Sequence, residues 1–315
     1  TGTARGALTA AALAAVALLS TITACDTAAA RSRRAPERVG SRLVDSLHAL
    51  GDALYGRAEW DSGRVVLRRG LAAARAVADT ASEAWFLNRI GMAARQLGEL
   101  DAARRDLEAA HALRHRRSPP SDLWDTHNAL GLVAWEQGRL RDAAALHDTA
   151  LAEARMSRDR ALISKSAQNL ALVQRELGDM ADARERIDTA VAAARDAGNA
   201  RTLGTALNNK GMLEIAWGHP AEALPLLAEA RRQYASIEYR PGHVNALGQV
   251  ASAYEALGDF ASAFAAADSA IALARTLGMR QEEAGSLELL ASIHRSAGEP
   301  RKALAIYQQA ETINR

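Results

Sequence analysis

At 315 residues the chain has room for two ordinary domains or one elongated array, and 49% hydrophobic residues with only 4% aromatic describe a helical protein built on small side chains. The 39 basic residues nearly cancel the 37 acidic ones, so no global field draws in nucleic acid; the basic set is almost all arginine, with Lys165, Lys210 and Lys302 as the lysines. A single cysteine, Cys25, excludes an intramolecular disulfide and a thiolate zinc site.

In chain order, the first expected element is a secretory signal over 1–24. "ALTAAALAAVALLSTITAC", residues 7–25, is uncharged and apolar, follows Arg5 and ends in small residues. Alanine and threonine dominate it, so it would insert only weakly as a membrane span. Its end, Ile22-Thr23-Ala24-Cys25, resembles the bacterial lipobox, which implies lipidation of Cys25 and a membrane-anchored lipoprotein on the extracytoplasmic side. If Cys25 is a chance cysteine behind an ordinary signal, the protein is secreted. Residues 25–40 carry Arg31, Arg33, Arg34 and Arg38 but no helical apolar stripe, and are expected to form a flexible tether.

From residue 41 the chain repeats every forty residues. Gly98, Gly138, Gly178, Gly218, Gly258 and Gly298 fall in phase, with Ala58 one period earlier. At a background glycine frequency of about 7%, six such matches arise by chance about once in ten million. Five residues after each turn stand Gly63, Ala103, Ala143, Ala183, Ala223, Ala263 and Ala303. Twelve after it stand Gly70, Ala110, Ala150, Ala190, Ala230, Ala270 and Ala310. Seven before it stand Gly51, Gly91, Gly131, Ala171, Gly211, Ala251 and Ala291. Seven units follow, over 41–80, 81–120, 121–160, 161–200, 201–240, 241–280 and 281–315. Each is expected to be two helices of about fifteen to seventeen residues around a left-handed turn glycine, with Pro220 and Pro300 opening second helices. Neither helix could bury its face alone, so neighbouring units must stack.

The pattern resembles the tetratricopeptide repeat, whose small positions match Leu130-Gly131, Gly138, Ala143 and Ala150. The resemblance covers the chain beyond the tether; its period exceeds the usual 34 residues, as in forty-residue variants of bacterial regulators and kinesin light chains. It implies an all-α, right-handed α-solenoid of seven helix-turn-helix repeats, a non-enzymatic protein-protein interaction scaffold that binds an extended peptide or helix in a concave groove lined by the first helix of each pair. No cofactor, metal or nucleic acid is expected.

On that first helix, three residues before the small column, stand His48, Asn88, Asn128, Gln168, Asn208, Gly248 and Glu288. Four consecutive units present an amide, with Asn169 and Asn209 beside two of them. Carboxamides both donate and accept, so the ladder either pairs with a ligand's main chain or bonds between neighbouring helices and braces the stack. Trp85, Arg89, Arg95, Asp125, Trp135, Lys165, Arg175 and Asn245 are expected near the same face. Either tryptophan is a groove anchor or a packing residue. Lys210 interrupts an apolar column and either snorkels to solvent or marks a polar site.

Enzymatic templates are missing: there is no G-x-S-x-G, H-E-x-x-H, G-x-G-x-x-G or P-loop. His111 and His115 are spaced to clip a metal but lack a third ligand, and read more simply as a basic helix end. An alternative whole-protein reading is the sensor or recruitment region of a larger signalling protein, for example one with a downstream CHAT-type peptidase domain. Leu304, Ile306, Tyr307 and Ile313 on the last helix would then meet a further element.

Overall fold

The computed structural model describes residues 34–114 and 119–314, with side chains from Ser41 onward. The described residues form fourteen α-helices and no strand. They fall into two compact units that divide between residues 118 and 119, where the sequence suggested one uninterrupted run. Each is a stack of helical hairpins.

The first unit contains α1 (Arg34–Gly56), α2 (Trp60–Ala76), α3 (Thr80–Gln96) and α4 (Leu100–Leu113). The expected tether over 25–40 is corrected here, because residues 34–40 already belong to α1. Pro36 falls in the first turn, where a missing N–H removes no intrahelical bond. The remaining tether residues, the signal and Cys25 lie outside the described residues. No described helix is long and apolar enough to cross a membrane.

The second unit contains α5 (Pro120–Glu136), α6 (Leu140–Ser157), α7 (Arg160–Leu177), α8 (Met180–Ala197), α9 (Ala200–Ala216), α10 (Pro220–Ser236), α11 (Arg240–Leu257), α12 (Phe260–Thr276), α13 (Arg280–Ser296) and α14 (Pro300–Asn314). Consecutive helices pack antiparallel-fashion through short turns, and each odd-numbered helix also touches the next odd one. The odd helices therefore form a continuous inner wall within this unit, and residues on it can meet across repeats.

The turn glycines take positive φ at Gly98, Gly138, Gly178, Gly218, Gly258 and Gly298, and Ala58 adopts the same conformation at +56°. A second left-handed column, not anticipated, closes the turns between successive repeats at Ala78, Arg158, Gly198, Glu238 and Gly278 among the described residues. Side chains also cap the starts: Asp79 accepts from the Ser82 N–H, Asp159 from Ala161 and Leu162, Asn199 from Thr202, and Asp259 from Ser262.

The small columns are the seams of the stack. Ala103, Ala143, Ala183, Ala223 and Ala263 are wholly buried, as are Ala110, Ala150, Ala190, Ala230 and Ala270. The third column follows a pairing rule with the residue sixteen further on, in the second helix of the same hairpin. Gly51, Gly91 and Gly211 face Leu67, Leu107 and Leu227, and a β-carbon at any of the three would lie 2.7 Å from the leucine. Alanine stands in that column at 171, 251 and 291, where the residue sixteen further on is Ile187, Ala267 and Tyr307. Larger side chains between these seams build the core, as where Trp124, Leu151, Ile163, Leu170, Ile187 and Leu213 meet across α5 to α9. On α14, Ile306 and Ile313 pack against Ile271, Leu287 and Ala310, so of the four apolar residues expected to seek a further element only Leu304 and Tyr307 are exposed.

Candidate functional site

The amide column lies deeper than a groove lining requires. Asn88 is 0% exposed in α3 and offers a ligand no surface, which corrects its expected place in the groove. Gln168 and Asn208 are 4% and 9% exposed, whereas Asn128 is half-buried. Asn169 and Asn209, one position after Gln168 and Asn208, are half-buried, whereas Ala129 after Asn128 is buried.

These amides join the odd helices across repeats. Asn169 Nδ2 donates to Asn128 Oδ1 at 2.9 Å, linking α7 to α5, and Asn209 Nδ2 donates to Gln168 Oε1 at 3.0 Å, linking α9 to α7. Gln168 Nε2 in turn donates to Ser164 Oγ at 3.0 Å. Each rung braces the stack, one of the two expected roles, and Asn128 Nδ2 and the Oδ1 atoms of Asn169 and Asn209 form no hydrogen bond among the described residues. The third rung, Asn208 with Gln249, is not made, and Asn208 Oδ1 is buried without a partner. Gly248 ends the ladder.

A cleft of about 510 Å³ opens on the two closed rungs. Asn128, Gln168, Asn169 and Asn209 line one side, with Lys165, Arg201, Thr202 and Thr205 around them and Asn199 capping α9 at the edge. Lys165 is exposed and makes no hydrogen bond or ion pair among the described residues. Arg201 lies over the Tyr239 ring, 4.2 Å from its centroid, and Nη2 donates to the Tyr239 hydroxyl at 3.1 Å. No carboxylate lines this cleft. Beside it Tyr234 donates to Thr205 Oγ1 at 3.3 Å, and burial raises the Tyr234 hydroxyl above its ordinary range, keeping it protonated.

A second cleft, about 470 Å³, lies between α11 and α13. Asn245 lines it, together with Gln249, Gln281 and Glu282; Gly248, Gly285, Val244 and Leu289 make its floor. Of the expected site residues, Lys165, Asn128, Gln168 and Asn245 line these clefts; Asn208 sits in the seam alongside.

The remaining ones do not. Trp85 stacks on the His48 ring at 4.0 Å and packs against the core of the first unit, where burial lowers the His48 pKa. Arg89 lies 5.3 Å from the centroids of both Tyr55 and Trp85, with Asp52 at 3.6 Å. Arg95 is half-buried in the last turn of α3. Trp135 donates through Nε1 to Glu176 at 2.9 Å and packs on Ala134, Ala143 and Val173, and Arg175 meets the same Glu176 at 3.6 Å. Both tryptophans are half-buried and pack beside core clusters. Lys210 is settled as well: its Nζ reaches Asp188 Oδ1 at 2.6 Å. His115 lies outside the described residues, and no group of three or more His, Cys, Asp or Glu that could hold a metal lies among them.

Sequence reading missed Arg201, Thr202, Thr205, Gln249 and Glu282. The offset of 41 that pairs Asn128 with Asn169 would have pointed to Gln249. Arg201 and Glu282 sit in the first turn of their helices and belong to no repeated column.

A stack of helical hairpins with small-residue seams at a forty-residue period belongs to the class of α-helical repeat proteins. The chain is a member of the tetratricopeptide repeat family: models of that repeat match residues 161–236 and 239–315, and another matches 84–118. Its fold is similar to that of aspartyl phosphate phosphatase F from Bacillus subtilis, at 12% identity and TM-score 0.72 over 90% of this chain and 73% of that one. It is similar also to the apo form of RapI, at 13% identity and TM-score 0.70 over 86% and 97%. A third is the Rap conjugation gene regulator of the plasmid pLS20 in complex with the Phr* peptide, at 13% identity and TM-score 0.65 over 84% and 71%. Identities this low establish a shared fold and nothing more. No curated protein sequence matches the chain.

Proposed function

We propose that this protein is a non-enzymatic interaction scaffold whose second unit holds an extended peptide segment of a partner along the inner wall of odd helices. The observation that carries the reading is the half-satisfied ladder of Asn128, Asn169, Gln168 and Asn209. Its amides are already oriented by their rungs, so a peptide main chain meets preorganised donors and acceptors and little side-chain freedom is lost on binding. The similarity in fold to a Rap regulator solved with a peptide supports the same reading.

The test is selection of a randomised dodecapeptide library on the chain, followed by the double variant Asn169→Ala with Asn209→Ala. Selected peptides should bind the variant at least about tenfold more weakly while its melting midpoint shifts little, since each lost bond is worth about 1 kcal/mol. Undiminished binding overturns the assignment.

We further propose that the scaffold is displayed outside the cytoplasmic membrane by a lipid on Cys25. The apolar stretch 7–25 and its Ile22-Thr23-Ala24-Cys25 ending support this. Fatty-acid labelling in a bacterial host should vanish in Cys25→Ser, and labelling that persists refutes the anchor.

A further inference from the structure

The two clefts of the second unit are oppositely charged, and Lys165 in one and the Glu282 carboxylate in the other form no ion pair among the described residues. The cleft on α7 and α9 carries Lys165 and Arg201 and no acid, while the cleft between α11 and α13 carries Glu282 and no base. Other charged residues of this unit do form pairs, as in Arg184 with Glu214, Arg195 with Glu229 and Lys210 with Asp188. Glu283, next to Glu282, accepts from Arg275 Nε at 2.9 Å; the Glu282 carboxylate makes no bond among the described residues. The unmade rung of Asn208 and Gln249 belongs to α9 and α11, the helices that carry the two clefts.

The floor of the Glu282 cleft has an unusual use of glycine. Gly131 and Gly211 are held small by a ring or a leucine pressed against them, but a β-carbon on Gly285 would meet nothing within 4 Å, and on Gly248 only Leu289 Cδ2 at 3.7 Å. Internal packing requires neither glycine, though each costs its helix about 1 kcal/mol relative to alanine. The hollow above them is bounded by the apolar Val244 and Leu289 and ends at a carboxylate. Its shape suits a long side chain with an aliphatic stem and a cationic head.

We infer that the preferred ligand is a charge-sorted peptide: an acidic side chain enters the Lys165–Arg201 cleft, and a lysine or arginine lies over Gly248 and Gly285 with its head at Glu282. This rests on the peptide-binding reading above and adds its specificity and its register. Opposite fields at the two clefts attract this arrangement and repel a uniformly acidic or uniformly basic segment.

The test repeats the dodecapeptide selection on wild type, Lys165→Glu and Glu282→Lys, with each variant's folding checked by circular dichroism. Wild type should enrich peptides bearing one acidic and one basic position at a constant spacing, and replacing either by alanine should weaken binding about tenfold. Lys165→Glu should turn the acidic position basic, and Glu282→Lys should turn the basic position acidic. Selected peptides that depend on Asn169 and Asn209 but show no charge preference, or whose preference ignores both reversals, overturn this inference and leave the groove reading intact. A selection that yields no peptide, or only peptides indifferent to Asn169→Ala with Asn209→Ala, overturns the groove reading itself.

Discussion

The ring of His147 occupies the space that a side chain on Gly131 would need: a β-carbon there would lie 2.6 Å from His147 Cε1. His147 stands where other repeats carry Leu67, Leu107 and Leu227, is 0% exposed, and has no partner for either ring nitrogen. Burial lowers its pKa from 6.5 to about 4. The folded state therefore prefers the neutral ring, and the unfolded chain binds the extra proton between those values. Its contribution is intact above pH 6.5 and is lost as pH falls toward 4. His147→Leu should stabilise the protein by about 1–2 kcal/mol at pH 7, by removing two unsatisfied buried nitrogens. The gap over wild type should widen by about 2 kcal/mol at pH 5. Urea unfolding at both pH values measures it, and a pH-independent gap contradicts the account.

Two glycine-to-alanine substitutions of identical chemistry should have opposite signs. Gly131→Ala drives a methyl into the His147 ring and should destabilise by about 1–3 kcal/mol. Gly285→Ala enters open space and should stabilise by about 0.5–1 kcal/mol through helix propensity and unfolded-state entropy. Thermal melts of the pair decide it.

Arg158 and Glu238 are exposed and hold φ of +57° and +52°, where side chains other than glycine are strained. Arg158→Gly and Glu238→Gly should each stabilise by about 0.5–1 kcal/mol, the relief of strain outweighing the added freedom of the unfolded chain. The two turns belong to different hairpins, so the double variant should show the sum.

Gln168 and Asn208 share a sequence column but should respond differently to leucine. Gln168→Leu breaks bonds to Ser164 and Asn209 and should cost about 1–2 kcal/mol, whereas Asn208→Leu removes a buried carbonyl that has no partner and should be neutral or stabilising. Denaturant midpoints of the two variants separate a brace from an open rung.

Repetition made the fold legible. A column such as Ala103 to Ala303 is small in every copy because every copy meets the same seam, so hairpin, turn and stacking could all be inferred before any contact was known. The site was legible only in part. Asn128, Lys165 and Asn245 line clefts, but Asn88 is buried and Trp85 and Trp135 pack beside core clusters, because helical periodicity gives a residue's face and not its depth. Arg201 and Glu282 are singular residues in a repeating chain, and their partners, or lack of them, lie in other helices.

The sequence by itself determined the period, the helical hairpins and the need to stack, since these follow from local spacing and from small side chains that permit close approach. Tertiary structure alone decided which amides close rungs and which stay open, why glycine is required at 131 but not at 285, and where charge is left unpaired. Those outcomes depend on atoms brought together from helices forty residues apart, at distances where a few tenths of an ångström separate contact from clash.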